Sequence, residues 1–214
     1  MYADPFALED HLKIILQTLT DFTGLICGKL KDIARKVLVS LITTDVHNRD
    51  IVRDLIDSGV QNINEFDWQK QLRYYVTKEE GVEAGILVKQ VAAEIEYGNE
   101  YMGATSRLVV TPLTDRCWIT ITGAMAINLG AAPAGPAGTG KTESTKDLAK
   151  ALGIYCVVFN CSDQIDFKMM ERLFSGVAQT GAWTCLDEFN RIEVEVLSVI
   201  AQQLLDIKEA KSAG

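Results

Sequence analysis

Histidine is scarce in this sequence. His11 and His47 stand beside five cysteines, Cys27, Cys117, Cys156, Cys161 and Cys185, and no two of the cysteines form a C-x-x-C pair. That set lacks the spacing of a zinc site, so the cysteines read as buried thiols of a reducing compartment. Blocks of like charge are also missing, and 21 Lys and Arg against 29 Asp and Glu give a net charge of −8. Nothing therefore marks a nucleic-acid surface. The start, Met1-Tyr2-Ala3-Asp4-Pro5, is acidic and has no basic leader region, so no secretory signal is expected. Gly123 to Gly140 carries no charged side chain, but Pro133, Pro136 and its glycines exclude an ordinary membrane helix. These absences leave a cytosolic or cytoskeletal protein, without membrane or nucleic-acid partners. A hydrophobic share of 48% and a charged share of 23% over 214 residues suit one large globular domain, or one and a half ordinary ones.

What is present centres on Gly135-Pro136-Ala137-Gly138-Thr139-Gly140-Lys141-Thr142. This stretch fits G-x-x-x-x-G-K-[ST], the phosphate-loop pattern. Its glycines let backbone N–H groups approach phosphate oxygens with no Cβ in the way. Lys141 supplies a cation for the outer phosphates. The Thr142 hydroxyl suits Mg²⁺, which takes hard oxygen ligands and substrate phosphates. A helix beginning here adds the partial positive charge of its N-terminus. The competing reading is a Gly/Pro-rich surface turn before a helix.

A second motif argues against that competitor. Ala182-Trp183-Thr184-Cys185-Leu186 reads as a buried strand ending in Asp187-Glu188, and ligands of open α/β sheets sit at strand carboxyl ends. Asp187 is suited to help hold Mg²⁺, and Glu188 to accept a proton from an attacking water or orient it. The alternative is an acidic first turn for the following helix.

The rest of the chain is expected to fall in two parts with a junction near residue 100. In the first, Leu12, Ile15, Leu16 and Leu19 share a helical face that Gly24 interrupts. Leu30, Ile33, Ala34, Val37, Leu38 and Leu41 make a second stripe. Thr43-Thr44-Asp45 offers N-caps for a third helix carrying Ile51, Val52, Leu55 and Ile56, closed by Gly59. A fourth is expected from Asn64, burying Trp68, Leu72 and Tyr75. Thr77 to Gly85 reads as a loop, 86–91 and 93–97 as short strands, and Gly98 and Gly103 as brackets of a turn. In the second part Arg107 to Val110 is extended, and Pro112 opens a helix running to about Leu129. Ala131 to Ala134 is a weak strand feeding the loop. A helix burying Thr145, Leu148, Ala149 and Leu152 ends at Gly153. Tyr155 to Phe159 is a buried strand. Met169, Met170, Leu173, Phe174 and Val177 mark a helix, and Val196, Leu197, Ile200, Ala201 and Leu204 mark the last one.

Several stretches resemble the dynein heavy chain family. They are Thr43 to Asp50, Gln71 to Tyr75, Val110 to Cys117, Pro133 to Lys150, Cys156 to Asp163, and Asp187-Glu188-Phe189-Asn190-Arg191. The resemblance implies an α/β fold: an incomplete AAA+ P-loop NTPase with a parallel sheet and flanking helices, preceded by a helical linker. Residues 1–100 look like the C-terminal part of the linker, and 101–214 like the front of the first AAA+ module, truncated. It implies ATP and Mg²⁺ as ligands and an ATP-driven, minus-end-directed motor on microtubules, reached only through parts not in this sequence. Dynein intermediate and light chains are the implied partners. The wording is closer to axonemal inner-arm dyneins, which implies the cytoskeleton and the cilium axoneme.

Carried onto this sequence, nucleotide binding falls on Gly135, Pro136, Ala137, Gly138, Thr139, Gly140, Lys141, Thr142 and Glu143, with Pro112, Leu113 and Thr114 at the adenine. Lys141 and Glu188 take the catalytic places, Thr142 and Asp187 the metal. Thr184-Cys185-Leu186-Asp187 lacks the family's common aromatic before the Asp, and Ala131 replaces a common Gly. The sequence stops at Gly214, before the family's sensor strand, helical lid and trans arginine finger, a residue worth roughly 10³ to 10⁵ in rate. Alone it is expected to be a weak ATPase at best. An exposed sheet edge at 182–187 is an expected aggregation hazard. Two other functions remain open at this point: a nucleotide-binding or scaffold piece without turnover, and a small-molecule kinase.

Overall fold

The computed structural model describes residues 6–77, 85–136, 138–162 and 164–213. The acidic start, most of the loop expected over Thr77 to Gly85, Ala137, and Asp163 of the matched Cys156 to Asp163 stretch lie outside the described residues. The chain packs as two units, one of residues 1–97 and 101–133, the other of 98–100 and 134–214.

In the first unit, α1 (Ala7–Ile26) packs against α2 (Asp32–Asp57), burying Ile15, Leu38, Val52 and Leu55. Two expected breaks are absent. α1 runs through Gly24, whose cost in a helix is about 1 kcal/mol against Ala and is outweighed by packing. α2 runs through Thr43-Thr44-Asp45, because the two hydroxyls bond back within the helix. Thr43 Oγ1 donates to the Val39 carbonyl at 2.9 Å and Thr44 Oγ1 to that of Ser40 at 3.0 Å. Gly59 does close α2: at φ +66° its N–H reaches the Ile56 carbonyl, while the Val60 N–H reaches that of Leu55.

The helix expected to bury Trp68, Leu72 and Tyr75 is cut short. α3 spans only Phe66–Gln69, and Tyr75 lies exposed on β1 (Arg73–Thr77). β1, β2 (Gly85–Gln90) and β3 (Ala93–Glu96) form an antiparallel sheet in that order, with Tyr75 opposite Leu87 and Val88 opposite Ile95. α4 (Pro112–Ala126) lies against β2 and β3 and buries Trp118, Ile121 and Thr122. Pro112 opens it, and Thr111 and Thr114 form a reciprocal cap. It ends three residues before the expected Leu129. A buried polar link joins helix to sheet: Thr122 Oγ1 donates to Gln90 Oε1 at 2.8 Å, and Gln90 Nε2 to the Lys70 carbonyl at 3.0 Å. Both side chains are thus satisfied away from water.

The second unit is α/β. α5 (Lys141–Ala151) lies on a parallel pair, β4 (Cys156–Asn160) and β5 (Trp183–Asp187), with Leu148, Ala149 and Leu152 wholly buried. Gly153 follows with φ +65°. Between the strands runs α6 (Phe167–Thr180), started by the Asp166 side chain, which accepts the Met169 N–H at 2.8 Å, and stopped by Gly181 at φ +69°. A 3₁₀ turn (Phe189–Arg191) leads to α7 (Val194–Ala213), which packs on α6. Cys161, Ile165, Met170, Phe174, Ile192 and Ile200 make the core, flanked by Phe159 and Leu186.

Ala131 to Ala134, expected as a weak strand, joins no ladder, since small side chains give a strand little to pack. Arg107 to Val110 lies in neither helix nor ladder. Met169 is exposed, and only Met170 is core. Ala201 and Leu204 are exposed as well. No helix among the described residues is long and apolar enough to cross a membrane.

The thiols are unpaired, but only Cys161 is buried as expected: Cys117, Cys156 and Cys185 are half-buried and Cys27 is exposed. Burial, and then the neighbouring Cys185, push Cys156 up to about 11. Its thiol therefore stays protonated at pH 8 and yields thiolate, the reactive form, only as pH climbs toward that value. Brief iodoacetamide treatment at pH 8 is expected to label Cys27 well ahead of Cys156, with Cys156 catching up as pH rises; peptide mass spectrometry reads both.

Candidate functional site

The loop before α5 is shaped by its glycines. Gly138 and Gly140 stand at φ +76° and +79°, and a Cβ at either would meet nothing within 4 Å. The backbone angle alone calls for glycine there. Gly140 caps α5, and its carbonyl accepts the first helical bond, from the Ser144 N–H at 2.8 Å. The amides of Lys141, Thr142 and Glu143 precede that bond and so have no intrahelical acceptor, a geometry suited to an anion. Thr139 Oγ1 braces the loop by donating to the Pro136 carbonyl at 2.9 Å.

Lys141 folds back over this loop. Its Nζ donates to the carbonyls of Gly135 at 2.9 Å and Pro136 at 2.7 Å. An ammonium has three donors, so the loop carbonyls hold its charge in place without using all of them. Glu143 is directed along the helix instead, pairing with Lys146 at 2.7 Å.

The end of β5 meets the start of α5. Thr142 Oγ1 donates to Asp187 Oδ2 at 3.0 Å. Asp187 is itself fixed: Oδ1 accepts the Glu188 N–H at 3.0 Å, and its carbonyl accepts the Cys161 N–H at 2.9 Å. The hydroxyl and carboxylate form a small hard-oxygen set that fits Mg²⁺. Among the described residues no group of three or more His, Cys, Asp or Glu side chains could hold a metal.

Glu188 follows at φ +53°, ψ +36°, a left-handed backbone uncommon for a side chain of this kind. Its carboxylate lies 3.2 Å from Arg191 Nε. The competing account, an acidic first turn for the next helix, lacks its hydrogen bond: Glu188 is the N-cap residue of the 3₁₀ turn, but its side chain caps nothing. α7 starts only at Val194.

Lys141, Thr142, Asp187 and Glu188 thus lie together in the second unit. Pro112, Leu113 and Thr114 form the first turn of α4 in the other unit, with Leu113 exposed and Thr114 engaged in the cap. Arg191 closes the Asp187 to Arg191 stretch without a role of its own in the motifs, and its signal there is the three-residue spacing from Glu188.

Residues 97–214 match a family model described as the hydrolytic ATP binding site of the dynein motor region. Curated proteins align over nearly the whole chain. Human dynein axonemal heavy chain 6 is 55% identical over 208 residues, covering 97% of this chain and 5% of that protein. Mouse dynein axonemal heavy chain 1 is 54% identical over 193 residues, covering 90% and 4%. Mouse dynein axonemal heavy chain 3 is 54% identical over 203 residues, covering 95% and 5%. The chain spans about 5% of the length of the relatives it matches.

Proposed function

This chain belongs to the family of the hydrolytic ATP-binding site of the dynein motor region, and on that premise we propose that it binds ATP with Mg²⁺ in the 135–142 loop and, as part of a heavy chain, hydrolyses it. The observation that carries this reading is the 3.0 Å contact between Thr142 and Asp187. Two motifs 45 residues apart meet at the atoms an Mg²⁺–phosphate complex needs.

Residue roles follow from position. Loop amides and the Lys141 ammonium take the charge of the outer phosphates and are fixed before reaction, where electrostatic stabilisation is most effective. Thr142 Oγ1 and Asp187 are the protein ligands for Mg²⁺, which when bound neutralises charge building on the phosphates. Glu188 holds the attacking water in line and accepts its proton. Adenine contacts by Pro112, Leu113 and Thr114 rest on the family resemblance. So does the division into linker (1–100) and front of the first AAA+ module (101–214).

For the whole heavy chain, the proposed work is minus-end-directed movement on microtubules in the ciliary axoneme, within a dynein complex containing intermediate and light chains. The axonemal relatives support that placement.

Calorimetric titration of the purified chain with ATP tests the first step. Saturable one-site binding that weakens when Mg²⁺ is chelated is expected. A folded chain that shows no saturable binding overturns the reading for this segment and leaves a scaffold piece.

A further inference from the structure

We propose that Arg191 is a positioning residue for the Glu188 carboxylate. It anchors one oxygen and leaves the other to take the water proton. This rests on the reading above, in which Glu188 activates water.

Three observations converge on the pair. Glu188 has a left-handed backbone, held by two hydrogen bonds: its N–H donates to Asp187 Oδ1 at 3.0 Å, and its carbonyl accepts the Arg191 N–H at 2.9 Å. Backbone strain of this kind persists only where surrounding contacts fix it. The same tight turn places Arg191 Nε 3.2 Å from Glu188 Oε2. Glu188 Oε1 has no partner among the described residues. The carboxylate is therefore ion-paired at one end and open at the other.

An unpinned Glu at the tip of a turn samples several rotamers, and few of them point at a water held in line. Pinning Oε2 narrows that choice while Oε1 keeps its lone pairs. An exposed ion pair contributes little to stability. The turn has its own backbone hydrogen bond, so losing the Arg191 side chain leaves the fold in place. The effect belongs to orientation, where a misplacement of about 1 Å costs on the order of 10²-fold in rate.

The test is steady-state ATP turnover by a heavy chain of the relatives' length carrying this segment, with Arg191→Ala, Arg191→Lys, Glu188→Gln and the Arg191→Ala/Glu188→Gln double variant. Expected is a fall in kcat of about tenfold or more for Arg191→Ala at unchanged KM. Arg191→Lys should recover most of the loss, since a lysine can supply the single contact seen here. The double variant should be no slower than Glu188→Gln alone. Full kcat in Arg191→Ala, with Glu188→Gln inactive, overturns the positioning role and leaves the base intact. Loss of ATP affinity along with turnover in Arg191→Ala assigns the residue to the fold instead, and also overturns it. Full turnover in Glu188→Gln removes the underlying reading.

Discussion

Glu188→Gln is expected to lower ATP turnover by about 10² to 10⁴-fold, the usual worth of a positioned acid or base, while leaving Mg²⁺–ATP affinity close to wild type. The amide has the same shape and keeps an oxygen that can accept from Arg191, so the turn between β5 and the 3₁₀ segment is undisturbed. What it loses is the capacity to take a proton. Among the described residues the Glu188 side chain pairs with Arg191, and the link to the Thr142–Asp187 pair runs through the Glu188 backbone N–H. Binding and chemistry should therefore separate. Turnover in a complete heavy chain, measured beside nucleotide affinity, reads both. Wild-type turnover in this variant would show that another group activates the water.

Lys141→Ala should act at the earlier step. A hydrogen bond to a charged group contributes about 1.5–3 kcal/mol, and the ammonium has more than one donor for phosphate oxygens. A loss of about 10² in affinity or more follows from two such bonds. Folding should be spared. The Lys141 side chain touches two carbonyls of its own loop, Gly135 and Pro136, and the N-terminal cap of α5 is the backbone of Gly140. The pair of measurements is calorimetry and a thermal melt. Undiminished affinity with an unchanged melting point would mean that the loop does not cradle phosphate.

How much of this was legible in sequence depends on what kind of signal each part left. The loop and the Asp187-Glu188 pair stood out in the sequence because the proposed chemistry would fix residue type and spacing. Only glycine takes φ +76° and +79° cheaply, and Thr142 and Asp187 meet at 3.0 Å. The 3.6-residue period found α2 and α6 but misled at residues 68–75. Trp68, Leu72 and Tyr75 fall on one helical face, yet Arg73-Tyr74-Tyr75-Val76-Thr77 is rich in strand formers and pairs with β2. Thr43 and Thr44 have the composition of a cap, but nothing local says whether a hydroxyl will start a helix or bond back into one. The stretch 131–134 had position without propensity, and no ladder forms there. Arg191 stayed silent because its partner is set by one tight turn, whose geometry depends on the left-handed Glu188.

That left-handed residue sets thermal robustness against chemistry at a single position. Glycine or asparagine would accept the backbone at 188 more willingly than glutamate does, and neither carries a carboxylate. A drift toward sturdier versions of this segment, unchecked by turnover, would thus tend to discard the proposed base early. A glutamate at that angle, in the role proposed for it, is what a compromise between holding together and doing work looks like from the backbone.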